Sequence, residues 1–320
     1  MSRLLTWLAV GLMVTVPLSL LAGRVWLDPL SDLSANALTI LVDLRLPRVI
    51  LAVTLGAGLG AAGAAMQGYL RNPLADPGLF GIAPGAALGA VLSFWTGWAA
   101  TAWTLPLFAL IGAAVAMALL GLIAGRTGSA MLFTLAGMMI ASLAGALMSL
   151  AISLAPSPFA MSEIVTWLMG ALTDRSWHDV SFALPLTMAG IAVLMRAGKS
   201  LDALTLGDAA ARSLGIDPRR LQGLMIVGVG LTVGAGVAAA GIIGFVGLMV
   251  PHLVRPLTDR RPSSTLVPSA LAGGLLLLAG DCLCRVLPLA GGELRLGIAL
   301  SLLGAPFFLH LLLRMRRGLA

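Results

Sequence analysis

Runs of apolar residues, about twenty long and separated by short polar breaks, recur along the whole of this 320-residue chain. A helix needs about 20 such residues to cross the hydrocarbon of a bilayer. Ten segments are predicted to do so: 4–21, 46–66, 79–96, 103–124, 131–155, 180–195, 221–240, 242–254, 266–287 and 294–313. The first, behind Arg3, has the look of a signal-peptide core; with so many spans after it, an uncleaved first helix is expected. A polar stretch fills 24–45, and a short apolar piece at 164–172 is expected to lie along the surface as a half-helix. The prediction is an all-α polytopic membrane protein, a single transmembrane domain over 1–320.

Composition agrees. Apolar residues make up 59% of the chain and charged residues 10%, against roughly 25% charged in soluble domains. No soluble core of this length hides so much apolar surface. The 39 glycines suit helices whose backbones approach closely. The net charge of +7 is spread over loops rather than gathered on one face, so no nucleic-acid partner is implied.

The charges also orient the chain. Residues 196–220 hold 8 of the 33 charged residues, five of them basic, and form a polar island expected to protrude into the cytoplasm. With ten spans, Arg3, Arg71, Arg126, the island, Arg255, Arg260, Arg261 and the tail Arg314, Arg316 and Arg317 share one side. That side carries 14 basic and 5 acidic residues, against 6 and 8 on the other. Both termini are therefore expected in the cytoplasm.

Some stretches do not read as smooth helix. Residues 72–78 (Asn-Pro-Leu-Ala-Asp-Pro-Gly) lie just before the third span and Pro84-Gly85 within it, and Val250-Pro-His252 makes a milder break. Broken backbone at membrane depth is tolerated beside a water-filled path; ordinary tight loops at the face would look the same. Arg45 and Arg48 open the second span and Arg285 ends the ninth, placed to meet a carboxylate partner or lipid phosphate. Gly56-Ala-Gly-Leu-Gly-Ala-Ala-Gly63 lines up with Gly234-Ala-Gly-Val-Ala-Ala-Ala-Gly241, five spans apart and oppositely directed. Such inverted repeats mark many transporters, although Gly/Ala-rich sequence also produces chance matches.

Reactive chemistry is not visible. Gly198-Lys199-Ser200 resembles the end of a phosphate-binding loop, but Val193 stands where the motif needs glycine. Cys282 and Cys284 point to different sides of one helix, and the three histidines lie in separate segments, so no metal site is expected. The acids fall at span ends or loops, with Asp281 and Glu293 near the outer face. That argues against an ion-coupled secondary transporter, which needs ionisable groups within its spans.

Four motifs in order carry a family resemblance. They are Leu44-Arg-Leu-Pro-Arg48, Gln67 through Gly78, Gly207-Asp-Ala-Ala-Ala-Arg-Ser-Leu-Gly215, and the run from Gly241 to Arg255. Together they resemble the FecCD-type permeases, the membrane subunits of type II ABC importers for ferric siderophores, haem and cobalamin. The resemblance implies a homodimer in the bacterial inner membrane, embedded in lipid, with two cytoplasmic ATPase subunits below. It also implies a periplasmic or lipid-anchored binding protein above. Gly207, Asp208, Arg212 and Gly215 match the coupling helix, and Arg45, Arg48 and Arg285 the binding-protein docking arginines. Asn72 and Leu74 match a gate, while Ser129 and Ser142 belong to a path-lining fifth span. Met138, Met139 and Met148 in that span suit an adaptable path surface as well as ordinary packing. No cofactor is expected in this chain, ATP and magnesium being bound by the ATPase partner. The expected cargo is an iron chelate, with cobalamin as the alternative.

Overall fold

The structure, a computed structural model, describes residues 2–23, 26–27, 35–96, 101–125, 129–287 and 292–319. Arg24 and Arg126, used above to orient the chain, lie outside them. Among the described residues the helices in order are α1 (Ser2–Leu21), α2 (Ala35–Thr39), α3 (Leu46–Tyr69), α4 (Ile82–Trp95), α5 (Thr104–Ala124), α6 (Ala130–Ser153) and α7 (Pro158–Leu168). There follow α8 (Trp177–Leu204), α9 (Asp208–Ser213), α10 (Pro218–Ala240), α11 (Val246–Val254), α12 (Pro262–Val286) and α13 (Leu296–Leu319). Eight described helices are long and apolar enough to cross a membrane, and the shorter Ile82–Trp95 and Val246–Leu257 add two more apolar segments. The protein is a polytopic, all-helical membrane protein.

Several boundaries differ from the sequence prediction for identifiable reasons. The second span begins earlier than residue 46, because a π-helical turn, Ile40–Arg45, joins α2 to α3 without a break. Pro47 stands near the N-terminus of α3 and sets its φ without breaking the run. The third span is shortened to α4, since Pro77–Leu79 forms a 3₁₀ turn and Gly81 takes φ +82°. The half-helix falls at α7 rather than 164–172, starting on the cap of Ser157, whose hydroxyl accepts from the Ala160 N–H. The island is helical over its first residues, where α8 runs on to Leu204. A proline with its residue-250 and -252 neighbours lies inside α11 rather than breaking it.

The two most enclosed spans are α3 and α10, and these carry the two Gly/Ala-rich stretches of the sequence repeat. In each case a long central helix leads through a glycine-containing turn into a short helix, α3 to α4 and α10 to α11. Along α3, Gly56, Gly60 and Gly63 lie on one stripe, and each meets another helix's backbone. Gly56 faces Gly273 and Gly60 faces the Ser269 carbonyl on α12, while Gly63 faces the Gly247 carbonyl on α11. A Cβ at these places has nowhere to go, which is why small residues set such crossings. Gly60→Ala is expected to lower the thermal stability of the detergent-solubilised chain, at a cost of ~1–3 kcal/mol. Gly223→Ala, whose Cβ would meet nothing within 4 Å, should leave stability equal or slightly raised. Equal melting of the Gly60 variant and the parent would contradict the close-contact reading.

Candidate functional site

At one end of the bundle, α9 projects between two glycines with positive φ, Gly207 (+98°) and Gly215 (+81°). Residues without a Cβ suit these turns, and their placement makes α9 a compact knob. Ala211 is buried against the body, while Leu206, Leu214, Asp208 and Arg212 are exposed. Asp208 ion-pairs with Arg71 at 2.9 Å. Arg71 follows α3 directly and precedes the 72–78 turn, so the knob and that turn are joined through one side-chain pair. Exposed pairs of this kind contribute only ~0–1 kcal/mol; this one sets register more than it adds stability.

The turn itself is held by its own side chains. Asn72 Oδ1 accepts from the Leu74 N–H at 2.9 Å, and Asp76 Oδ1 from the Gly78 N–H at 2.7 Å. Burial pushes the Asp76 carboxyl above its ordinary range, while the Gly78 N–H works the other way. Asn72, Leu74 and Asp76 line a cavity of about 420 Å³ together with Ala130, Met131, Thr134 and Met138 of α6. Leu74 and Asp76 also border a second, mostly apolar cavity of about 370 Å³ that reaches Phe245 and Phe308. The structure thus brings Asn72, Leu74 and Met138 together. Ser129 caps α6, its hydroxyl accepting from the Leu132 N–H. Met139 and Ser142 lie on the exposed face of α6, and Met148 packs partly buried against the core.

At the other end the three arginines lie close together, but not as free forks. Arg45, Arg48 and Arg285 are 9%, 9% and 4% exposed. Arg48 donates to Asp281 through Nε (3.0 Å) and Nη2 (2.8 Å), and its Nη2 lies 2.8 Å from Glu293 Oε2. Arg285 reaches the same Asp281 at 3.2 Å and donates to the Ser19 carbonyl and hydroxyl. Arg45 donates to the carbonyls of Leu20 and Leu21 at 2.7 Å. Two guanidinia therefore satisfy the last carbonyls of α1, which have no helical partner, and sit where the helix dipole favours a cation.

Asp281 corrects a sequence reading. It lies wholly buried within α12 rather than at a span end. Two arginines hold it as their shared counter-ion. The Asp281–Arg285 spacing of four on one helix was the available signal. Gln67 was also missed as a polar hub; it is 1% exposed and bonded to α11 and Arg255. Asp281→Ala leaves buried cations uncompensated and is expected to cost about 3–5 kcal/mol, read as a drop in unfolding temperature. Adding Arg48→Met should recover part of that loss. A single variant as stable as the parent would show that the cluster holds nothing together.

Comparisons with known proteins agree with this architecture. The chain matches the FecCD transport family over residues 11–314. It is 38% identical over 288 residues to the cobalamin import system permease protein BtuC of Halobacterium salinarum, covering 87% of this chain and 74% of that one. It is 37% identical over 315 residues to the vitamin B12 import system permease protein BtuC of Vibrio vulnificus, covering 98% and 94%. A solved structure described as an inward-facing conformation of a metal-chelate type ABC transporter superposes with a TM-score of 0.90 at 30% identity, over 98% of this chain and 100% of that one. Helix order, the broken segments and the projecting α9 thus have one common explanation: the chain belongs to the FecCD transport family, the permease subunits of ABC importers.

Proposed function

We propose that the chain is the membrane-spanning subunit of a cobalamin importer, acting as a homodimer with two ATPase subunits and a substrate-binding protein. What carries the cargo assignment is identity of 37–38%, over most of the chain, to permeases named for cobalamin or vitamin B12. This favours the corrinoid over the iron chelate expected from the sequence. An adaptable path fits either bulky cargo. The exposed face of α6, with Met131, Met138 and Met139, is where a second copy would close the path.

Mechanically, α9 is the part that an ATPase cleft can grip, with Leu206 and Leu214 exposed at its two ends. A push on it passes through Asp208 and Arg71 to the Asn72–Leu74 turn, taken here as the gate and constriction of the path. ATP and magnesium belong to the partner, whose closure supplies the stroke; α9 is taken to face the cytoplasm. On the opposite side, Arg48 keeps one replaceable partner in Glu293. An acidic group on a docking binding protein takes the place of that carboxylate while Asp281 holds the guanidinium steady.

The test is uptake into proteoliposomes holding the permease, its ATPase and its binding protein. ATP-dependent accumulation of cyanocobalamin is expected, with no competition from haemin or a ferric siderophore. Uptake of either iron chelate that cobalamin fails to inhibit would restore the iron reading. In the same assay the double variant Asp208→Arg, Arg212→Glu is expected to lower the uptake rate at least about tenfold, the equivalent of ~1.4 kcal/mol in the barrier. Full uptake by that variant would remove α9 from the coupling path.

A further inference from the structure

The short helix α11 contains Pro251. Proline has no N–H, so the carbonyl four residues earlier, that of Gly247, loses its normal helical donor. Gly247 is buried, and a buried carbonyl without a donor is costly. The replacement comes from α3: the Gln67 side-chain amide points its Nε2 at the Gly247 carbonyl (3.4 Å) and the Leu248 carbonyl (3.2 Å). Its Oε1 accepts from Arg255 Nη2 at 3.0 Å, just beyond the other end of α11. One buried amide thus holds both ends of a nine-residue helix. The same turn of α11 touches the 72–78 turn: Gly247 lies against Gly63 on one side and Pro77 on the other. Leu74, Asp76, Pro77, Gly247 and Leu248 also border one cavity.

We infer that Gln67 is a positioning residue for transport, clipping α11 to α3 across the hydrogen bond that Pro251 removes and so fixing the α11 wall against which the 72–78 turn moves. Control of the constriction by α11 rests on the permease reading above; protection of the α11 amides does not.

The full-length chain in lipid nanodiscs is examined by hydrogen–deuterium exchange. Gln67→Met, close in size but without donors or acceptor, is expected to speed exchange over residues 246–254 roughly five- to thirty-fold, with α5 and α12 unchanged. Arg255→Met, at a half-buried position, removes only the third arm. It should give a smaller rise, confined to the C-terminal turn of α11, and it serves if the Gln67 variant does not fold. In proteoliposomes with the ATPase and binding protein, Gln67→Met should lower the maximal uptake rate and leave the half-saturating cargo concentration unchanged. Unchanged exchange at 246–254, or exchange raised evenly through all helices, overturns the clip. Loosened α11 with a normal maximal rate overturns the positioning role, and absence of uptake by the unmodified chain would instead refute the permease reading.

Discussion

A backbone group buried away from water must find its hydrogen-bond partner within the protein. At several joints this chain does so by lending groups from one helix to another. The Ala240 carbonyl at the end of α10 accepts from the Ala171 N–H, just past α7. The start of α12 is capped by Asp202 of α8, whose carboxylate accepts from the Ser263 N–H and hydroxyl. Gln222 of α10 donates to the Gly125 carbonyl after α5, and Arg45 and Arg285 finish α1. Helix termini are consequently the joints of the bundle.

Between those joints the bundle is stiff. Glycines on α3 bring the backbones of α11 and α12 into direct contact, and such contact leaves little room for sliding. The Asp202 bond lies near α9 and the Ala240 bond just before α11, two of the segments that the proposed stroke would move. A stiff middle with side-chain joints at its ends suits a subunit that receives force rather than making it. The buried Arg48–Asp281–Arg285 group belongs to the stiff part, because its charges are mutually engaged and cannot be moved singly without large cost.

Local patterns made much of this visible in the sequence. Apolar run length gave the spans, and the family resemblance pointed to 207–215, where the structure has α9 between two positive-φ glycines. The family motifs located Asn72 and Leu74, which the structure places on one cavity with Met138. Pairings across long separations were not visible. Arg48 and Asp281 stand 233 residues apart, and Gln67 and Arg255 188 apart, so no periodicity relates them. Arginines that looked like outward forks proved buried because partners come from other segments: Asp281 of α12 for Arg48, and the α1 carbonyls for Arg45 and Arg285. The π turn before α3 was hidden too, since a polar stretch ending in Asp43 and Arg45 reads as a loop when its packing is unknown.

The central claim is that force enters at α9 from the cytoplasm and that the arginine-rich end faces the other way. Sided labelling with a membrane-impermeant thiol reagent tests this most directly, in a chain with Cys282 and Cys284 replaced. A cysteine at Ser213, exposed on α9, should react only after vesicles of native orientation are opened, and one at Asp174, exposed in the turn between α7 and α8, should react in sealed vesicles. Reaction of the Ser213→Cys chain in sealed vesicles would reverse the orientation and contradict the account.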